Sequence, residues 1–206
     1  RLDHFAVVLV PGGWASDKYK ALEADGREQL RGFVAAGGGY LGFCGGAGLA
    51  LSHDSGLGLA PVSRKPSGDR LPSISGPVER RQTEPAHPAW SGIVDGTAAS
   101  VWWPGQFSIN ESADVGVLAR YGAPATGACV SDLPVEPGID WEEWERIYGT
   151  NLNPKRLAGE PAVIEASFGE GRVLLSYPHF ETPGDETGLK VVANMLGYLR
   201  SIAGDK

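Results

Sequence analysis

Hydrophobic residues fall along this chain in short blocks separated by glycine and proline, and their spacing changes from block to block. Phe5 to Val10 is a continuous apolar, β-branched run closed by Pro11-Gly12-Gly13, the pattern of a buried parallel strand that feeds a tight turn. Tyr19, Leu22, Leu30, Phe33 and Val34 then fall mostly on one helical face. Ser16 or Asp17 can cap that helix, Gly26 weakens it and Gly37-Gly38-Gly39 stops it. Tyr40 to Phe43 is a second short apolar strand, followed by Cys44-Gly-Gly-Ala-Gly48 and a helix start at Leu49-Ala-Leu51. Strand, helix, strand, helix in this order predicts a parallel sheet.

The periodicity then weakens. From about Leu57 to Ser100 proline, glycine, serine and scattered charge predict strand fragments and surface loops. Val101-Trp-Trp103, Val115 to Tyr121 and Ala128-Cys-Val130 read as further strands, and Asp132 to Gly159 as a second loop-rich excursion. Within it Trp141-Glu-Glu-Trp-Glu-Arg146 fits a short amphipathic helix that packs two tryptophans under an acidic face better than it fits a recognition patch. Pro161 to Phe168 and Arg172 to Tyr177 flank Gly169-Glu-Gly171 as a hairpin. A last helix from about Gly188 places Leu189, Val192, Met195, Leu196 and Leu199 at helical spacing.

A chain of 206 residues with 42% hydrophobic content can bury a sizeable core, which predicts one domain over residues 1–206. The formal net charge of -7, with both signs mixed along the chain, gives no electrostatic footprint for nucleic acid or an anionic membrane, and no apolar run approaches the roughly 20 residues that span a bilayer. The expected location is cytoplasmic, with a periplasmic home open if a signal peptide has been removed. Two cysteines cannot form a disulfide framework. No cluster of His, Cys, Asp and Glu has metal-ligand spacing, and the glycine-rich run at 37–48 lacks a phosphate-loop ending, so no metal or cofactor is expected.

The chemistry concentrates at Cys44. Gly42-Phe43-Cys44-Gly45-Gly46 has the small-residue pattern of a nucleophile elbow, in which a sharp strand-to-helix turn pushes one side chain into the open and glycines two before and two after relieve the crowding. The following helix aims the positive end of its dipole at the sulfur. Backbone N–H groups of Gly45 and of Gly12 and Gly13 in the preceding turn could bind a developing oxyanion. The late strand ending in Ser176-Tyr177-Pro178 delivers His179 as a base, and Glu181, two residues on in an extended segment, can orient the imidazole. Cys129 reads as a small core residue. Of Trp102 and Trp103, either can line a pocket, with one expected in the core. Arg64 to Arg70 reads as a solvated loop more readily than as a contact for an acidic group.

In their order, the Val-Pro-Gly-Gly turn, the Gly-Phe-Cys-Gly-Gly elbow and the Ser-Tyr-Pro-His-Phe-Glu segment ending at Glu181 resemble the class I glutamine amidotransferase-like superfamily, and within it the family named for the N-terminal domain of biotin-protein ligase. Val101-Trp-Trp-Pro-Gly105 is similar to that family's aromatic-plus-glycine segment. The resemblance implies an α/β three-layer sandwich, flavodoxin-like, with a mostly parallel central sheet, and assigns Cys44, His179 and Glu181 as nucleophile, base and orienting acid. Two departures matter. Gly48 stands where glutamine amidotransferases usually carry glutamine, and the fold usually begins with a further strand and helix, which implies a segment before Arg1 and an unpaired strand edge. The expected function is a cysteine-dependent amidase or hydrolase acting on a small amide or related acyl substrate. Its rivals are a binding or regulatory module of the same fold with a protein partner, and a cysteine peptidase.

Overall fold

A computed structural model describes residues 2, 4–71 and 73–203. Eight strands of the main sheet run in the spatial order β1 (Val7–Val10), β2 (Gly39–Phe43), β11 (Gly171–Ser176), β10 (Pro161–Phe168), β7 (Val115–Pro124), β4 (Ile74–Gln82), β8 (Cys129–Val130) and β9 (Leu133–Pro134). The ninth, β5 (Ala98–Trp102), pairs with β4. A separate two-stranded sheet joins β3 (Val62–Arg64) to β6 (Phe107–Ile109).

The α/β class holds, and the parallel pairing is concentrated where the site lies. β1 and β11 flank β2, both parallel to it. β2 is buried along its whole length, which is why its sequence is an unbroken run of small and apolar residues. Beyond β11 the pairings are antiparallel, because a two-residue turn at Gly169-Glu170 folds β11 back on β10. The sheet ends at β1, where Leu9 is 38% exposed.

Among the described residues there are five α-helices: α1 (Ala15–Ala21), α2 (Glu23–Ala35), α3 (Gly45–Ala50), α4 (Trp141–Tyr148) and α5 (Glu186–Ile202). Because strand side chains alternate, opposite faces of β2 meet different helices. A Cβ on Gly39 would touch Leu199 of α5, whereas one on Gly42 would strike Gly46 of α3. Among the described residues, no helix is long and apolar enough to cross a membrane.

Several local expectations are corrected. The helix after the first turn is two helices. It opens at Ala15 with Trp14 as N-cap and no side-chain cap bond, so neither Ser16 nor Asp17 caps it, and it breaks at Glu23, whose φ of 51° is left-handed, not at Gly26. The stretch read as strand fragments and loops holds the nine-residue β4, whose charges and Pro77 disguised it. Trp102 and Trp103 are 65% and 48% exposed, so neither packs in the core. Cys129 is half-buried at a two-residue strand, not a core residue. On α4 the amphipathic reading holds, with Trp141 buried and Trp144 packed against the core.

The buried face of α5 is Val191, Met195 and Leu199, while Leu189 is 49% exposed. Truncating Met195 to alanine therefore removes core volume and costs about 2–5 kcal/mol, whereas Leu189→Ala stays within roughly 0.5 kcal/mol. Urea denaturation of the two variants measures the contrast.

Candidate active site

Cys44 links the fully buried β2 to α3 in a conformation that side chains rarely accept, φ 48° and ψ −107°. Strain of this kind costs on the order of 1–3 kcal/mol and persists only where the surroundings enforce it. Here they are backbone. A Cβ on Gly45 would lie 1.5 Å from the Gly13 carbonyl oxygen, and one on Gly46 would lie 2.0 Å from that of Val10. The elbow thus passes across the Pro11-Gly12-Gly13 turn with no room for a side chain between them. Tyr40, buried beneath, donates its hydroxyl to the Gly46 carbonyl at 2.7 Å, and the Gly48 N–H donates to the Cys44 carbonyl at 2.9 Å.

The same strand pairing brings the histidine. The Cys44 N–H donates to the Ser176 carbonyl at 2.7 Å, so the ends of β2 and β11 are joined, and the chain three residues further on places His179 at the cavity. His179 is fixed from the other side by its N–H, which donates to the Ser100 carbonyl at 2.7 Å in an isolated bridge to β5. Its Nδ1 lies 2.9 Å from Glu181 Oε1, leaving Nε2 with no hydrogen-bond partner and turned toward Cys44. Beneath the site, Phe43 and Phe180 meet edge to face with centroids 6.5 Å apart, tying the residue before the cysteine to the residue after the histidine.

The sulfur of Cys44 facing the imidazole, and then the Glu181 carboxylate, raise the His179 pKa to about 10 against the opposing effect of burial. Two other histidines are engaged elsewhere: His53 Nε2 lies 3.2 Å from the Gly48 carbonyl, and His87 accepts the Ala89 N–H while its other nitrogen approaches Glu165.

The structure therefore brings Cys44, His179, Glu181, Gly13 and Gly45 together, and it removes one expected role. The Gly12 N–H donates to Glu181 Oε1 at 3.4 Å, and the imidazole lies directly over the glycine, where a Cβ would meet it at 2.4 Å. A single N–H already directed at the carboxylate is not available to an oxyanion, so Gly12 belongs to the support of His179 and Glu181. The dipole contribution is also limited, since α3 is only six residues long. At Gly48 a Cβ would press on that of Ala15 at 3.3 Å, so a side chain there requires α1 to give by a few tenths of an ångström against α3.

A cavity of 260 Å3 opens over Cys44, lined by Trp14, Arg64, Trp102, Trp103 and Tyr177 besides the residues already described. Sequence reasoning missed Trp14, Arg64 and Tyr177. An exposed tryptophan immediately after the Pro-Gly-Gly turn was a usable signal for the first, whereas the other two come together only through tertiary pairing.

Residues 2–53 match the family described as Biotin-protein ligase, N terminal, a stretch that holds β1, the turn and the elbow. Three solved structures follow nearly the whole chain. PurLQS from Thermotoga maritima is 18% identical with TM-score 0.58, covering 97% of this chain and 82% of that one. A candidate GMP synthase component from Thermoplasma acidophilum is 15% identical with TM-score 0.51, covering 97% and 75%. A cytoplasmic protein from Salmonella typhimurium is 12% identical with TM-score 0.58, covering 96% and 72%. The fold is glutamine amidotransferase-like. At such identities the likeness is one of amidotransferase-like architecture alone, and a search of curated proteins finds no match.

Two outcomes test this geometry. Gly46→Ala forces the elbow off the turn and destabilises the protein by about 1–3 kcal/mol, while Gly32→Ala, on α2 with open space around it, stabilises by roughly 0.5–1 kcal/mol; denaturant midpoints read both. Because the folded pKa of His179 lies above its ordinary 6.5, its protonation stabilises the fold fully below pH 6.5, and that contribution is lost as pH rises toward about 10. The stability gap between wild type and His179→Ala therefore narrows over that window. In an NMR titration the His179 pKa falls more in Cys44→Ala than in Glu181→Gln.

Proposed function

We propose that the protein is a cysteine-dependent amide hydrolase. The observation that carries this reading is Cys44 held at φ 48° on an elbow that lines one cavity with His179, whose Nδ1 lies 2.9 Å from Glu181 Oε1. The amidotransferase-like fold supports it by likeness of architecture.

In the reaction, Cys44 Sγ attacks the carbonyl carbon of the amide and its proton resides on His179. The N–H groups of Gly13 and Gly45 stabilise the oxyanion. His179 then passes the proton to the departing nitrogen, the C–N bond breaks and an acyl-thioester remains. Water attacks that thioester while His179 accepts its proton and returns it to the sulfur, so amide and water become acid and amine. Glu181 holds the imidazole oriented throughout. A cavity of 260 Å3, below the about 300–1,000 Å3 of drug-sized sites, favours a small molecule over a polypeptide as the substrate.

A binding module of the same fold is the second reading, favoured by Gly48 and by three exposed tryptophans around the cavity. Ammonia or amine release from a panel of small amides separates the two. Wild type releases it, Cys44→Ala abolishes release without unfolding, and His179→Ala lowers it by on the order of 10²–10⁴-fold. Iodoacetamide labels Cys44 faster than Cys129 at pH 7, and His179→Ala removes the difference. Full turnover by Cys44→Ala ends the hydrolase reading.

A further inference from the structure

We propose that the cavity is built for an amide that also carries a carboxylate and a flat aromatic group, the carboxylate meeting Arg64 and the ring lying on the Trp102–Trp103 pair. This rests on Cys44 being the nucleophile and names the substrate class of that site.

The charge argument starts from β3. Arg64 ends that strand opposite Phe107 and is presented at the cavity, and among the described residues no carboxylate pairs with it. Its neighbour Lys65 already holds Glu160 at 2.6 Å. Arg70 lies near enough that the Arg64 cation adds to burial in lowering its pKa, and Arg70 Nε and Nη1 are buried without a hydrogen-bond partner. Among the described residues no acidic group pairs with either guanidinium, and a bound carboxylate would offset their mutual repulsion.

The aromatic argument is one of exposure and strain. Trp14, Trp102 and Trp103 are 69%, 65% and 48% exposed at one cavity mouth. An indole left in water forgoes the burial that makes tryptophan useful to a fold. Trp102 and Trp103 lie stacked, centroids 6.3 Å apart and 28° from coplanar, and Trp103 adopts a left-handed φ of 45° that bulky residues avoid. Strained backbone that keeps a ring in solvent is accounted for by a ligand that covers it. Glutamine would satisfy Arg64 and leave the indoles wet.

The test is calorimetric titration of the full Cys44→Ala chain with hippurate, which joins ring, amide and carboxylate, with its neutral methyl ester, and with N-acetylglycinate, which lacks the ring. Hippurate is expected to bind at least about tenfold more tightly than either. Arg64→Gln brings hippurate down to the ester and leaves the ester unchanged, and Trp102→Leu weakens hippurate and ester alike. Both substitutions are at exposed positions, and circular dichroism confirms their folding. The proposal is overturned if N-acetylglycinate matches hippurate, if Arg64→Gln weakens acid and ester equally, or if none of the three saturates at millimolar concentration. Binding is read without the nucleophile, so these failures are distinct from a failure to find amide cleavage.

Discussion

Backbone packed directly on backbone fixes this site. Gly45 and Gly46 lie against the carbonyls of Gly13 and Val10 with no side chain between them, and everything around Cys44 follows from that contact. It holds the cysteine in a left-handed conformation and sets α3 across the first turn. The contact exists only because β1 and β2 are adjacent and parallel, so both strands leave the sheet at the same end. β11, parallel on the other side of β2, releases the His179 segment at that end too. Ligand sites at the carboxyl ends of parallel strands are a general property of such sheets.

The landmarks of this half of the molecule were legible because local chemistry and global fold agree there. An apolar run closed by Pro-Gly-Gly, a cysteine among glycines and a histidine two residues from a glutamate each report on a feature settled within a few residues. The antiparallel half was not legible in the same way. β4 carries Glu79, Arg80, Arg81 and Gln82 in succession, a pattern that resembles a solvated loop until its neighbours on the sheet are known. Arg80 is only 1% exposed and its guanidinium lies over Trp90 at 4.8 Å and Phe180 at 5.7 Å, a buried cation held by ring faces. Nothing in the order of residues announces that. Gly12 shows the converse error, since its place in the turn was correct and its N–H was already directed at Glu181.

The two halves meet at His179. Its side chain is held by Glu181 and its backbone by Ser100 of β5, the strand that ends at Trp102. The imidazole and the exposed indoles are therefore carried on hydrogen-bonded neighbours, and the mouth of the cavity is positioned by the antiparallel sheet while its floor belongs to the parallel one.

The bond from the Cys44 N–H to the Ser176 carbonyl has a consequence for the order in which the molecule is made. The turn, the elbow and the thiol all lie within the first quarter of the chain, and β11 lies in its last fifth. During synthesis from the N-terminus, the cysteine emerges long before the strand that docks beside it. A nascent chain thus carries the thiol without its imidazole, and the pair comes into being only when the final strand closes the sheet.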